Sequence, residues 1–162
     1  MRTAPTASHV RLFRPDDAEA LATIFHAAVH AIDRGLYSQR QLDAWSPAPP
    51  SPDSYLERAG DGRLLLVAVD DQDRPLAYGD LEGNGHLDHL YRDPALSARG
   101  AAWAVYQGLE RTAREKGLAR LFVEASEPAR PFFLRQGFVL VARRDFDLRG
   151  VAIHNDAMEK AL

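Results

Sequence analysis

Two side chains in Gly85-His86-Leu87-Asp88 have the types and spacing for acid–base work. An imidazole with a pKa near neutrality takes a proton from an ammonium directly or through water. Asp88 follows two residues on, so in an extended chain both side chains project from one face. There Asp88 would bind a cationic substrate or raise the pKa of His86; the alternative is a structural polar pair bonded to neighbouring loops. His89 points to the opposite face and reads as structural. Glu82, before the turn, and Glu124, in a later apolar run, are further acid–base candidates. Beyond them Asp93-Pro94 ends the strand, and a loop with one glycine, Gly100, feeds a long amphipathic segment. Strand, tight loop and helix aim several backbone N–H groups at one point, with the helix dipole behind them. That geometry suits a phosphate or pyrophosphate.

These groups need elements to hold them. His9–Phe13 reads as a first strand. Pro15 and two acids then open a helix whose apolar residues Leu21, Ile24, Phe25, Ala28 and Val29 recur at three and four. Ser38 with Gln41 forms a capping-box pattern for a short helix ending near Trp45, and Ser51-Pro52 opens another reaching Arg58. The runs 63–70, 75–82 and 86–91 are strands joined by short turns, an antiparallel meander. A helix from about Ser97 to Lys116 ends at Gly117, and 118–126 returns as a strand; a crossover of that length calls for parallel pairing. A short helix at 128–135 and a hairpin of 138–144 with 151–158 complete the order. The expectation is an α/β fold of mixed (α+β) type, about seven strands with helices on both faces, as one domain over residues 8–162 after a flexible tail at 1–7.

The bulk numbers remove several classes of function. At 162 residues the chain buries a core without staples. A net charge of −3 carries no basic excess, which disfavours nucleic acid and membrane surfaces as partners. With no cysteine there is no disulfide, no thiolate metal site and no sulfur nucleophile. The histidines and acids lack metal-ligand spacing, so no metal is expected. No phosphate-binding G-x-x-x-x-G-K-[ST] or G-x-G-x-x-G occurs, and Gly83-Asn84-Gly85 is a hairpin turn. The N-terminus lacks the apolar core of a signal peptide and no run approaches transmembrane length, so the expected location is cytoplasmic.

Several separated motifs carry a resemblance. Leu90-Tyr91-Arg92-Asp93-Pro94 stands at a strand end, and Ser97-Ala98-Arg99-Gly100-Ala101-Ala102 at a phosphate loop. Phe132–Phe138 is an aromatic-x-x-x-Gly-Phe segment, and Met158-Glu159-Lys160 ends the last strand. Gly85–Asp88, Glu124-Ala125-Ser126 and the Tyr37-Ser38…Gln41-Leu42…Ala44-Trp45 pattern complete the set. Over about residues 8–160 the chain resembles the GCN5-related N-acetyltransferases (GNAT fold), in particular a bacterial branch of them.

The resemblance implies an acetyl-CoA-dependent N-acetyltransferase, with acetyl-CoA as co-substrate and the amine of a small molecule attacking directly in a ternary complex. A protein or peptide amine is a second acceptor class, and a non-catalytic CoA-binding sensor or interaction domain a third reading. Dimers are common among relatives, which makes a homodimer a partner to consider. The resemblance assigns the pantetheine arm to the main chain of Leu90, Tyr91 and Arg92, and the phosphates to the amides of Ala98, Arg99, Gly100, Ala101 and Ala102. Arg92 and Arg99 would add charge. Ser126 stands for an asparagine near the cofactor arm, or else caps the next helix. Phe133 occupies the position of the family's tyrosine acid and cannot donate a proton. Ser97 and Ala98 also leave the usual loop pattern, so weaker CoA affinity is expected. Tyr37 and Trp45 fall in the acceptor wall, with Glu82 and His154 as further substrate contacts.

Overall fold

Period-two and period-3.6 patterns alternate along the chain, and so do the elements they specify. The structure is a computed structural model that describes residues 8–96 and 100–162. The elements are β1 (His9–Leu12), α1 (Ala18–His30), α2 (Gln39–Trp45), α3 (Pro52–Ala59), β2 (Leu64–Val69), β3 (Pro75–Leu81), β4 (His86–Leu87) and β5 (Leu90–Arg92). After them come α4 (Ala101–Glu115), β6 (Arg120–Ala125), α5 (Arg130–Arg135), β7 (Val139–Leu148) and β8 (Val151–Ala161). A 3-10 turn at Pro15–Asp17 precedes α1. The capping box forms as its spacing predicts: Ser38 Oγ accepts from the Gln41 amide and Gln41 Oε1 from the Ser38 amide. The expected tail at 1–7 and loop residues 97–99 lie outside the described residues.

Strand β2 shows why helices cover both faces. Leu66 and Ala68 join the core under α4, with Val105, Leu109 and Ala113. Leu65, Val67 and Val69 point the other way, against Leu21 and Ile24 of α1 and Tyr55 of α3. Each fully buried aliphatic side chain contributes roughly 1.5–3 kcal/mol to these layers.

The eight strands form two sheets. One runs β1-β2-β3-β5, antiparallel throughout; the other runs β4-β6-β8-β7, with β4 parallel to β6 as the crossover requires. The single strand expected over 86–91 is therefore two strands, one in each sheet. Buried Asp80 explains the break. Its Oδ1 accepts from the amides of Asp88 and His89, at 3.0 and 2.9 Å, which satisfies two backbone donors that leave the ladder. Its Oδ2 takes Arg58 at 2.7 Å and Arg63 at 3.1 Å. Gly85 seats β4 against β6: its φ is +96°, and an added Cβ would lie 2.3 Å from the Arg120 carbonyl. Past Leu87 the sheets diverge, and β5 and β6 each present an unpaired edge to the gap.

Candidate active site

His86 is gripped from both sides. Its Nδ1 lies 2.7 Å from Glu82 and its Nε2 2.5 Å from Glu124, while the ring stacks on Phe122 at 4.9 Å. Phe122 and Glu124 share one face of β6, and the parallel register of β4 brings His86 opposite Phe122. Burial opposes the charge on His86, but its hydrogen bonds to Glu124 and Glu82, with the charges of Glu124 and Asp88, outweigh it and raise its pKa. The carboxylate at each ring nitrogen and the raised pKa both favour the imidazolium form, which has no free lone pair. In that form the acceptor atoms of the cluster are the carboxylate oxygens. The glutamates are also more exposed than the ring between them.

Asp88 shares no hydrogen bond with His86. Its carboxylate instead contacts Arg58 at 2.5 Å and Arg63 at 3.4 Å, beside buried Asp80. The turn of the chain at 88–89, pinned by Asp80, breaks the two-residue alternation that would have made them neighbours. Burial pushes the Asp88 carboxyl up, but His89 and Arg58 outweigh it and its pKa is lowered. His89 packs flat on Phe25 at 5.3 Å and meets the Tyr78 hydroxyl at 3.0 Å. Burial, with Arg58 nearby, pushes its pKa down to about 4, so it is neutral at pH 7.

His86, Asp88 and Glu124, though not Glu82, line a cavity of ≈ 340 Å³. Tyr37 and His154 form its floor, stacked at 5.2 Å, and Trp45 meets Tyr37 edge-on. The Tyr37 hydroxyl is occupied structurally, donating to the His154 carbonyl and accepting from the Glu127 amide. His154 Nε2 lies 3.2 Å from Glu127 Oε1 without hydrogen-bond alignment.

A second cavity of ≈ 800 Å³ fills the gap between the diverging sheets. Leu90, Tyr91 and Arg92 of β5 border it, as do Gly100 and Ala102 at the start of α4 and Phe133 of α5. β5 is the last strand of its sheet, so one row of its backbone groups is free for an extended ligand arm. Gly100 caps α4 at φ +82°, and among the described residues no side chain caps the helix and nothing lies within 4 Å of where a Cβ would stand. The first N–H groups of a helix have no partner within it, a setting that fits a phosphate. Ala101 is buried at the start of that helix; Ala98 and Arg99 lie outside the described residues. Phe133 is buried among Tyr106, Phe132 and Phe138. No side chain caps α5; the Ser126 carbonyl accepts from Ala129 and Arg130 instead.

Trp45, Tyr91 and Ser126 line both cavities, so the two chambers meet at them. The sequence reading missed Asp80, whose signal is a lone carboxylate inside an apolar strand. It also missed Trp103 and Arg135, which border the larger cavity and look in sequence like ordinary exposed helix positions. Arg144 and Asn155, on the wall of the smaller cavity, were missed too. Among the described residues no group of side chains is arranged to hold a metal, and no helix is long and apolar enough to cross a membrane.

Residues 34–162 match the acetyltransferase (GNAT) domain family. The uncharacterized N-acetyltransferase YafP of Escherichia coli (strain K12) is 29% identical over 146 residues, which span 90% of this chain and 91% of that protein. A solved GCN5-related N-acetyltransferase from Rhodopseudomonas palustris is 30% identical, with both chains covered completely and a TM-score of 0.87. The PaiA N-acetyltransferase of Thermoplasma acidophilum, solved with coenzyme A, is 18% identical over 96% of this chain and 99% of that chain. Its TM-score of 0.76 is a likeness of fold alone.

Proposed function

The chain belongs to the acetyltransferase (GNAT) family, and on that footing we propose that it moves an acetyl group from acetyl-CoA to the amine of a small molecule by direct attack. One observation carries the reading: a cleft bordered by a free strand edge and an uncapped helix N-terminus runs into a small cavity lined by carboxylates. Acetyl-CoA when bound supplies the activated thioester. The β5 edge at Leu90–Arg92 would hold the arm of the cofactor, and the amides at Gly100–Ala102 its phosphates, with Arg92 and Arg135 adding charge. Solved relatives with bound cofactor, PaiA among them, support that assignment.

The amine arrives as an ammonium drawn to the carboxylates of the Glu82–His86–Glu124 cluster. Glu124 accepts its proton, while the two ring N–H groups of His86 hold Glu124 and Glu82 in place. The neutral amine then has the lone pair that attack requires. Tyr91 and Ser126 are the hydroxyl-bearing residues common to both chambers, and they take the proton-donating role that Phe133 cannot fill. The cavity of ≈ 340 Å³ favours a small acceptor over a peptide.

Calorimetric titration with acetyl-CoA, followed by release of free CoA thiol with a panel of amines, tests the reading. Saturable binding and amine-dependent release are expected. No binding at millimolar cofactor would overturn it. Binding without release for any amine would support a CoA-binding sensor, the reading that the apolar Phe133 favours.

A further inference from the structure

The wall of the smaller cavity opposite the acid cluster carries a positive charge. Arg144 lies on β7 and Asn155 is its register partner on β8. In the same sheet Glu124 pairs with Ala157, so Glu124, Ala157, Asn155 and Arg144 share one sheet face. Arg144 is two strands and two residues from Glu124, about 12 Å between backbones by ordinary strand spacing. Side chains as long as Glu and Arg reduce that gap to one that a molecule of a few carbons can bridge.

The guanidinium is ordered toward the cavity. One nitrogen donates to Asn155 Oδ1 at 3.1 Å, and the group sits 5.3 Å from the Phe146 ring centroid. Among the described residues Arg144 has no carboxylate partner. Its neighbour Arg143, on the opposite face, is paired with Asp145 at 3.0 Å. Arginine's planar fork matches a carboxylate in two parallel hydrogen bonds, and stacking on an aromatic ring pre-orients it.

From this placement we infer that the acceptor is a small zwitterion, an amine that also bears a carboxylate, its ammonium on Glu124 and its carboxylate on Arg144 and Asn155. The inference rests on the acetyl-transfer reading and names the substrate class of that site. It also accounts for polarity: a carboxylate on one wall and a guanidinium on the other suit a ligand that carries one charge of each sign.

Matched pairs of amines test it: β-alanine against propylamine, 4-aminobutyrate against butylamine, and α-amino acids against their carboxamides. In the parent, kcat/KM for CoA release is expected to favour the acid of at least one pair by tenfold or more. In Arg144→Gln that preference disappears, while acetyl-CoA affinity and the rate with the amine that lacks a carboxylate stay within about twofold, well under the tenfold that 1.4 kcal/mol represents. Equal use of the acids and of their partners without a carboxylate by the parent overturns the inference and leaves the transferase intact, as does a preference that survives in the variant. If no compound releases CoA, titration of the same acids into acetyl-CoA-loaded protein decides. Acid binding that Arg144→Gln abolishes supports the anion subsite while the transfer reading fails. Acids that fail to bind the parent, or that bind parent and variant equally, overturn it.

Discussion

A single imidazole shows how local context assigns a role. His86 and His89 are three residues apart, yet their surroundings push their pKa values in opposite directions. His89 binds no proton in the fold until about pH 4, whereas the unfolded ring takes one near pH 6.5. Its contribution to stability is therefore present above 6.5 and lost as pH falls toward 4, by about 3 kcal/mol at most. His86 has the opposite sign: its raised pKa contributes stability below 6.5 that is lost as pH rises through the folded value. Urea unfolding of the parent, His86→Gln and His89→Gln across pH 4 to 9 checks both signs. The parent-minus-variant difference should grow with pH for His89 and shrink with pH for His86. For catalysis, Glu124→Gln should lower kcat by about 10²–10⁴-fold, the usual weight of acid–base assistance, and leave acetyl-CoA affinity unchanged by calorimetry. An unchanged kcat would remove Glu124 from the mechanism.

At the scale of elements, the site depends on one strand that stops and restarts in another sheet. Asp80, itself fully buried, holds the break with two amides and two partly exposed arginines. Asp80→Ala leaves the two amides without their acceptor and the arginines with only Asp88 and Asp61, and a loss of about 1–3 kcal/mol in urea unfolding is expected, the cost of unsatisfied buried donors. The same variant should bind acetyl-CoA more weakly, because the β5 edge would no longer be held away from β6. Gly85→Ala should be worse tolerated than Gly83→Ala, since only Gly85 combines a positive φ with a neighbouring carbonyl where the Cβ would be. A comparison of soluble yield and thermal midpoint for the two variants decides. Most of the element order was legible, because alternation, the Ser38 capping box and the Gly117 stop are local signals. The break at 88–89 was not, because its cause sits eight residues away in a neighbouring strand.

Over the whole molecule, the gap between the sheets holds a cavity of ≈ 800 Å³, so filling it couples cofactor binding to stability. A ligand at a hundredfold excess over its Kd adds about 2.7 kcal/mol to the folded state. For a chain of this length that is a rise in Tm of about 5–10 °C, measurable by scanning calorimetry with and without acetyl-CoA. No shift at saturating cofactor would contradict the assignment of the ≈ 800 Å³ cleft. The wall residues come from distant parts of the chain: Trp45 from α2, Tyr91 from β5 and Ser126 from the end of β6. Their convergence is a property of the assembled sheets.

The sequence alone determined the class of fold, the resemblance to its family, the strand–loop–helix whose shape suits a phosphate, and His86, Glu82 and Glu124 as acid–base candidates. Each depends on short-range patterning or on motifs whose order survives without coordinates. Tertiary structure decided who faces whom: it gave His86 to two glutamates and Asp88 to two arginines, and set Arg144 across the cavity from Glu124. The physical reason is register. A residue's partners across a sheet depend on where its strand stops and which strand lies beside it, and neither is encoded within a few residues of the side chain itself.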